Sequence, residues 1–186
     1  MSEQYGSFEE LSREGVAGLP FEIEIQDRGT DFVIVGIHGG QIEPGTEEVV
    51  RAIAGSDISY YLFLGTDRSQ HITSHNFDEP SCIALLARCK EAISIHGKAG
   101  PGEFVMLGGL DADLISKTKS ALQGHGFTVD ETSPSVAGTQ PTNICNRGSS
   151  RMGLQIEMSR ELRDLLIANP ERMWEFAHTI RALVQY

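Results

Sequence analysis

Two short runs of apolar, largely β-branched residues constrain this fold most: Phe32-Val-Ile-Val-Gly-Ile37 and Ala92-Ile-Ser-Ile95. Neither alternates polar with apolar strictly enough for a sheet with one face in water. Such runs suit strands covered on both faces, which calls for a sheet held between two layers of helix.

Helical signals fall between the strand signals. Residues 46–54 open at Thr46, carry Glu47 and Glu48 in the first turn and stop at Gly55. A helix over 80–89 begins at a proline, one over 111–123 ends before Gly124, and two more flank Asn169-Pro170. Ser7 and Glu10 form a capping-box pattern at the head of a helix over 7–14. Phe21-Glu-Ile-Glu-Ile25 alternates and reads as a half-exposed edge strand. Further strands are expected at 59–64, 104–107, 127–129 and 154–158. Residues 133–142, rich in Pro, Gly, Ser and Thr, read as a loop. Trp174 and Phe176 are expected on the packing face of the last helix. The pattern predicts an α/β fold: a three-layer sandwich with a mixed, mostly parallel central sheet, residues 1–186 forming one catalytic domain.

Charge and composition remove several function classes. A net charge of −11 argues against nucleic acid as a partner, because duplex binding needs a basic footprint. It also opposes capture of a polyanion unless cations cluster locally; Arg147, Arg151 and Arg160 lie close enough in sequence to do so. No apolar stretch approaches the ~20 residues that cross a bilayer. The first ten residues lack the basic start and apolar core of a secretory signal, which predicts cytoplasmic synthesis and is compatible with action outside the cell after lysis. Cys82, Cys89 and Cys145 are odd in number and lack CxxC spacing, so free thiols are expected.

The chemistry concentrates at strand ends. His38 follows the first buried run and precedes Gly39-Gly40-Gln41-Ile42-Glu43; His96 ends the second; Glu157 lies in Gly153-Leu-Gln-Ile-Glu157. In open α/β sheets, ligands bind outside the carboxyl ends of strands, so these distant residues can converge. Two histidines and a carboxylate (His38, Glu43, His96) suit one catalytic zinc per chain with a position left for water. The structural alternative makes His38 a local hydrogen-bonder, Glu43 a helix-start acid and His96 a satisfied core residue. Glu157 sits opposite Leu154, Ile156 and Met158 and is the candidate general base; otherwise it faces solvent or pairs with Arg160. Arg147, in Asn143-Ile-Cys-Asn-Arg-Gly148, is expected to hold a substrate carboxylate or an oxyanion, with a structural salt bridge as the alternative. Asn143, Asn146, His71 and Arg151 are the supporting substrate contacts; His71 and His75, four residues apart in a turn-rich segment, are competing metal ligands that rank as pocket-lining residues. His125 and His178 read as surface or packing residues, and Cys145 as a small buried one.

Taken together, His38-Gly-Gly-Gln-Ile-Glu43-Pro-Gly-Thr46, His71-Ile-Thr-Ser74 with Phe77-Asp78, Ser94-Ile-His96-Gly97, Asn143-Ile-Cys-Asn-Arg-Gly148 and Gly153-Leu-Gln-Ile-Glu157 resemble the phage-derived poly-γ-glutamate hydrolase family, compact relatives of the zinc carboxypeptidases. The resemblance implies a carboxypeptidase-like fold, zinc on His38, Glu43 and His96, and Glu157 as general base. It also implies hydrolysis of γ-glutamyl amide bonds, with poly-γ-glutamate or γ-glutamyl peptides as substrate. The alternatives are a zinc hydrolase of small N-acyl amino acids or γ-glutamyl peptides, and a catalytically silent metal-binding module.

Overall fold

The computed structural model describes residues 5–14 and 20–184. Seven strands form one mixed sheet: β1 (Phe21–Gln26), β2 (Phe32–Gly40), β3 (Ser59–Gly65), β4 (Glu91–Lys98), β5 (Val105–Gly109), β6 (Val129–Asp130) and β7 (Gly153–Ser159), in the order β1-β3-β2-β4-β7-β5-β6. The four inner strands β3, β2, β4 and β7 run parallel, whereas β1 joins β3 and β5 joins β7 antiparallel. The two buried runs become neighbours, β2 and β4, at the middle of the sheet.

Burial on both faces follows from the alternation of side chains. Ile34, Ile93, Ile95, Leu154, Ile156 and Met158 pack against α2 (Thr46–Ala54), α4 (Ala112–Gly124), α5 (Arg160–Ala168) and α6 (Pro170–Arg181). Val33, Val35, Ile37, Tyr61 and Phe63 face the other way, against α1 (Phe8–Glu14) and α3 (Pro80–Leu86). The expected three-layer α/β arrangement is therefore present. Ser7 Oγ accepts from the Glu10 amide at 3.1 Å, but the Glu10 carboxylate returns to the Gly6 amide rather than to that of Ser7.

Three expectations need correction. Trp174 is 66% exposed and stacks on His178, while Phe176 is fully buried. Residues two apart in a helix point to opposite sides, so the two cannot share a packing face. The helix from Pro80 ends at Leu86, and the strand expected at 127–129 is only Val129–Asp130. All three cysteines are buried and free.

The sheet departs from regularity where chemistry is expected. Gly36 pairs with Leu62 and Gly39 with Leu64, so β2 holds one residue more than β3 over this stretch, a bulge. Strict alternation would aim His38 at the face that carries Ile34; the extra residue turns it to the face of Ile37. Past it, Gly40 adopts φ 66°, and a Cβ there would strike the Gly65 backbone carbonyl. That carbonyl already accepts the Gln41 amide at 2.8 Å, so it cannot withdraw freely. Gly40→Ala is expected to destabilise the protein by at least roughly 2 kcal/mol, measured by urea unfolding. Unchanged stability would mean that this turn has another low-energy path.

Candidate metal centre

Strands β2, β4 and β7 are adjacent and parallel, so their carboxyl ends open on one side. His96 and Glu157 are direct register partners across β4 and β7. The bulge brings His38 to the same face. The chain then folds back: the Glu43 amide donates to the His38 carbonyl at 2.8 Å. Thr46 Oγ1 ties both ends of the loop, donating to the carbonyls of Glu43 (2.9 Å) and His38 (3.3 Å).

Three acceptors meet there. His38 Nδ1 lies 3.1 Å from His96 Nδ1 and 3.2 Å from Glu43 Oε2, and the last pair is 3.8 Å apart. Ligands at ~2.0–2.1 Å from a tetrahedral ion would be separated by roughly 3.3 Å, so the spacing fits zinc. The proton positions fit as well. His38 Nε2 lies 2.9 Å from the Ile72 carbonyl, which can only accept; the nitrogen must carry the proton, leaving a lone pair on Nδ1. His96 Nε2 lies 3.1 Å from Ser74 Oγ and can donate in the same way. Such outer partners are the usual means of orienting metal-binding imidazoles. The Gly97 amide donates to Glu43 Oε2 at 2.7 Å and fixes the third group.

His71 forms a second trio with His38 and Glu43, its ligand atoms within 4.8 Å of theirs. Its ring stacks on His38 at 4.0 Å with 27° between planes, so their in-plane lone pairs run nearly side by side. The His38 and His96 rings, at 69°, can converge. By ring orientation His96 suits a shared ion better than His71, which flanks the trio.

Beside the trio is a cavity of about 360 Å³ whose wall includes His71, His75, Asn143, Gln155, Glu157 and the 134–140 loop. Gln155 Nε2 donates to Glu157 Oε1 (2.9 Å) and to the Val136 carbonyl (3.0 Å), and Gln155 Oε1 accepts from Asn143 Nδ2 (2.9 Å). Burial, reinforced by the charge of Glu43, pushes the Glu157 carboxyl up to about 8. Burial acts to raise Glu43 too, but the charge and hydrogen bond of His38, the charge of His96 and the Gly97 amide hold it at about 2. His38 is raised: burial opposes its charge, and Glu43 overcomes that. Burial and the charge of His38 press His96 down to about 3. A dication among these groups would favour the deprotonated form of each.

Not every expected site residue arrives. Asn143 and His71 line the cavity; Asn146, Arg147 and Arg151 do not. The Arg147 guanidinium is committed to three main-chain carbonyls, Thr142 (2.7 Å), Phe77 (2.9 Å) and His75 (3.0 Å), and ties two loops together. Asn146 is wholly buried, donating to the Gly138 and Gln140 carbonyls. Arg151 sits exposed in a turn at φ 59°. Gln155 was not foreseen, although its place two residues before Glu157 puts both on one face of β7.

The Poly-gamma-glutamate hydrolase family model matches residues 5–179. The chain belongs to that family. It is 38% identical over 168 residues to the SPbeta prophage-derived UPF0714 protein YoqZ of Bacillus subtilis (strain 168), a match covering 87% of this chain and 61% of that protein. The structure of a bacteriophage poly-gamma-glutamate hydrolase superposes with a TM-score of 0.90 at 27% identity, covering 98% of this chain and 96% of that one. A zinc-free form of YndL gives 0.90 at 30% identity, covering 99% and 98%; the curated YndL is from Bacillus subtilis (strain 168).

Two outcomes follow from this geometry. The Glu157 carboxyl sits above its ordinary 4.5, so its contribution to stability is complete below that pH and is lost as pH rises through about 8. In chelator-treated protein, the stability of wild type relative to Glu157→Gln should fall on the order of 3 kcal/mol between pH 5 and pH 9, read by urea unfolding. A flat difference would mean that Glu157 is not buried as described. Arg147→Lys should lose bonds to the loop carbonyls and cost roughly 2–4 kcal/mol of stability. If it instead leaves unfolding unchanged and raises KM, Arg147 touches substrate after all.

Proposed function

We propose that the chain is a zinc-dependent hydrolase that cleaves γ-glutamyl amide linkages in poly-γ-glutamate, with one zinc held by His38, Glu43 and His96. The carrying observation is the convergence of His38 Nδ1, His96 Nδ1 and Glu43 Oε2 within 3.8 Å, on the cavity that Glu157 lines. The name of the matching family and the zinc-free form of YndL support the substrate and the metal.

When bound, zinc supplies a Lewis acid that polarises the scissile carbonyl and lowers the pKa of water toward ~7. The Ile72 carbonyl and Ser74 hydroxyl set the planes of the two imidazoles, and the Gly97 amide holds Glu43. Glu157 takes the proton of the attacking water and passes it to the departing amine, the general-base role of carboxypeptidase-like enzymes. Gln155 occupies Oε1, so Oε2 is the oxygen that carries the proton. Asn143 holds Gln155 in turn, and places the base without touching the reacting atoms.

Purified protein should contain about one zinc per chain by elemental analysis, and His38→Ala or His96→Ala should lose it. Glu157→Gln should keep the metal and lose on the order of 10²-fold or more in turnover of poly-γ-glutamate. α-Linked polyglutamate should resist cleavage. Full zinc occupancy in both histidine variants would end the ligand assignment, and cleavage of the α-linked polymer at an equal rate would end the linkage assignment.

A further inference from the structure

Past Glu43 and Gly97 lies a second cleft, of about 870 Å³, whose wall is cationic. Arg68, Lys98, Arg160 and Arg163 line it, against Glu43 and Asp67. A chain of net charge −11 thus places here four of its 15 Lys and Arg but only two of its 26 Asp and Glu. Both acids are occupied: Glu43 with His38 and the Gly97 amide, and Asp67 as acceptor of the Ser69 amide. Of the cations, Arg160 is shared with Asp164, its Nε 2.8 Å from both carboxylate oxygens, and its other two nitrogens are left for a ligand.

Arg163 differs from the other three. It is only 5% exposed, yet it forms no ion pair among the described residues. Nε donates one long hydrogen bond to the Ser159 carbonyl at 3.4 Å, and Nη1 is buried with no acceptor among the described residues. The guanidinium fills the space beside Gly97, where a Cβ would come within 2.6 Å of Cζ and closer still to Nη1. A glycine beside the metal centre therefore makes room for a buried, unpaired cation. Removing a guanidinium from water without a partner is costly, and a carboxylate delivered from outside would supply the planar two-bond match it lacks.

We propose that this cleft binds the free α-carboxylates of γ-linked glutamyl units on one side of the scissile bond, with Arg163 as the buried clamp and Arg68, Lys98 and Arg160 holding the units that follow. The inference rests on the reading of the chain as a γ-glutamyl hydrolase and names the part of the site that reads the substrate's charge. A purely internal role for Arg163, balancing the nearby Glu43, is the rival.

The test compares short γ-glutamyl oligomers with free or amide-capped α-carboxylates, using the zinc-loaded enzyme. Capping should cost wild type about 10- to 150-fold in kcat/KM. Arg163→Gln should lose a similar factor on the free substrate, chiefly in KM, and little more on the capped one. Losses that multiply independently, or an unaffected KM, would overturn the clamp. Because a change at a buried arginine can disturb the fold, the double variant Arg68→Gln/Arg160→Gln, on exposed positions, provides a second reading. Relative to wild type, its KM should rise by a factor that grows with oligomer length, and the salt dependence of KM should weaken. A factor independent of length overturns the cleft. If wild type hydrolyses none of these substrates, the functional reading itself has failed, and equilibrium binding decides the cleft. Salt-sensitive binding of a γ-glutamyl oligomer that is lost in the double variant supports it, and no binding overturns it.

Discussion

Three electron-pair donors at mutual distances of 3.1–3.8 Å repel unless a proton or a cation sits among them. Much of the surrounding structure can be understood as the means of holding that arrangement. The β2 bulge turns His38 toward β4, the Gly40 turn sends the chain back so that Glu43 meets it, and Thr46 pins both loop ends. Ile72 and Ser74 come from the segment after β3 and reach the outer nitrogens of the two imidazoles. Pieces far apart in sequence are thereby committed to one point, and the parallel neighbours β2, β4 and β7 supply the rigid base.

The parts of this design that were legible in the sequence are those set by local pattern. Uninterrupted apolar runs marked β2 and β4, and period-two alternation placed Glu157 opposite Leu154, Ile156 and Met158, where the structure has it. Histidines ending buried strands and a glycine turn leading to Glu43 marked the three groups that converge, because residue type and strand-end position are both local properties. Strand order was not legible, since it depends on which faces bury most area together. Nor was the bulge, which is a mismatch between two strands and leaves no mark in either one alone.

Arg147 and Arg163 show the limit from the other side. Arg147 lay in a motif-like segment among asparagines and looked available for substrate, yet its donors go to loop carbonyls. Arg163, in an amphipathic helix, drew no reading from the sequence, yet it is a buried cation. A side chain's role depends on which acceptors lie within its reach, and tertiary structure alone decides that. The same holds for Gln155, whose amide joins Asn143, Val136 and Glu157 across three segments.

Net charge has little authority over a cleft. Charges on exposed groups separated by more than ~8–10 Å are largely screened at physiological salt, whereas groups lining a low-dielectric concavity act on a ligand together. On the proposed reading, the 26 acidic residues of this chain weigh against polyanion capture mainly during approach, and the wall formed by Arg68, Lys98, Arg160 and Arg163 would govern what happens after contact. The same proposal accounts for release: a strongly cationic surface would hold both products of a cut polymer, whereas a confined basic cleft on an acidic body would favour only the units seated in it and repel the rest of the released chain.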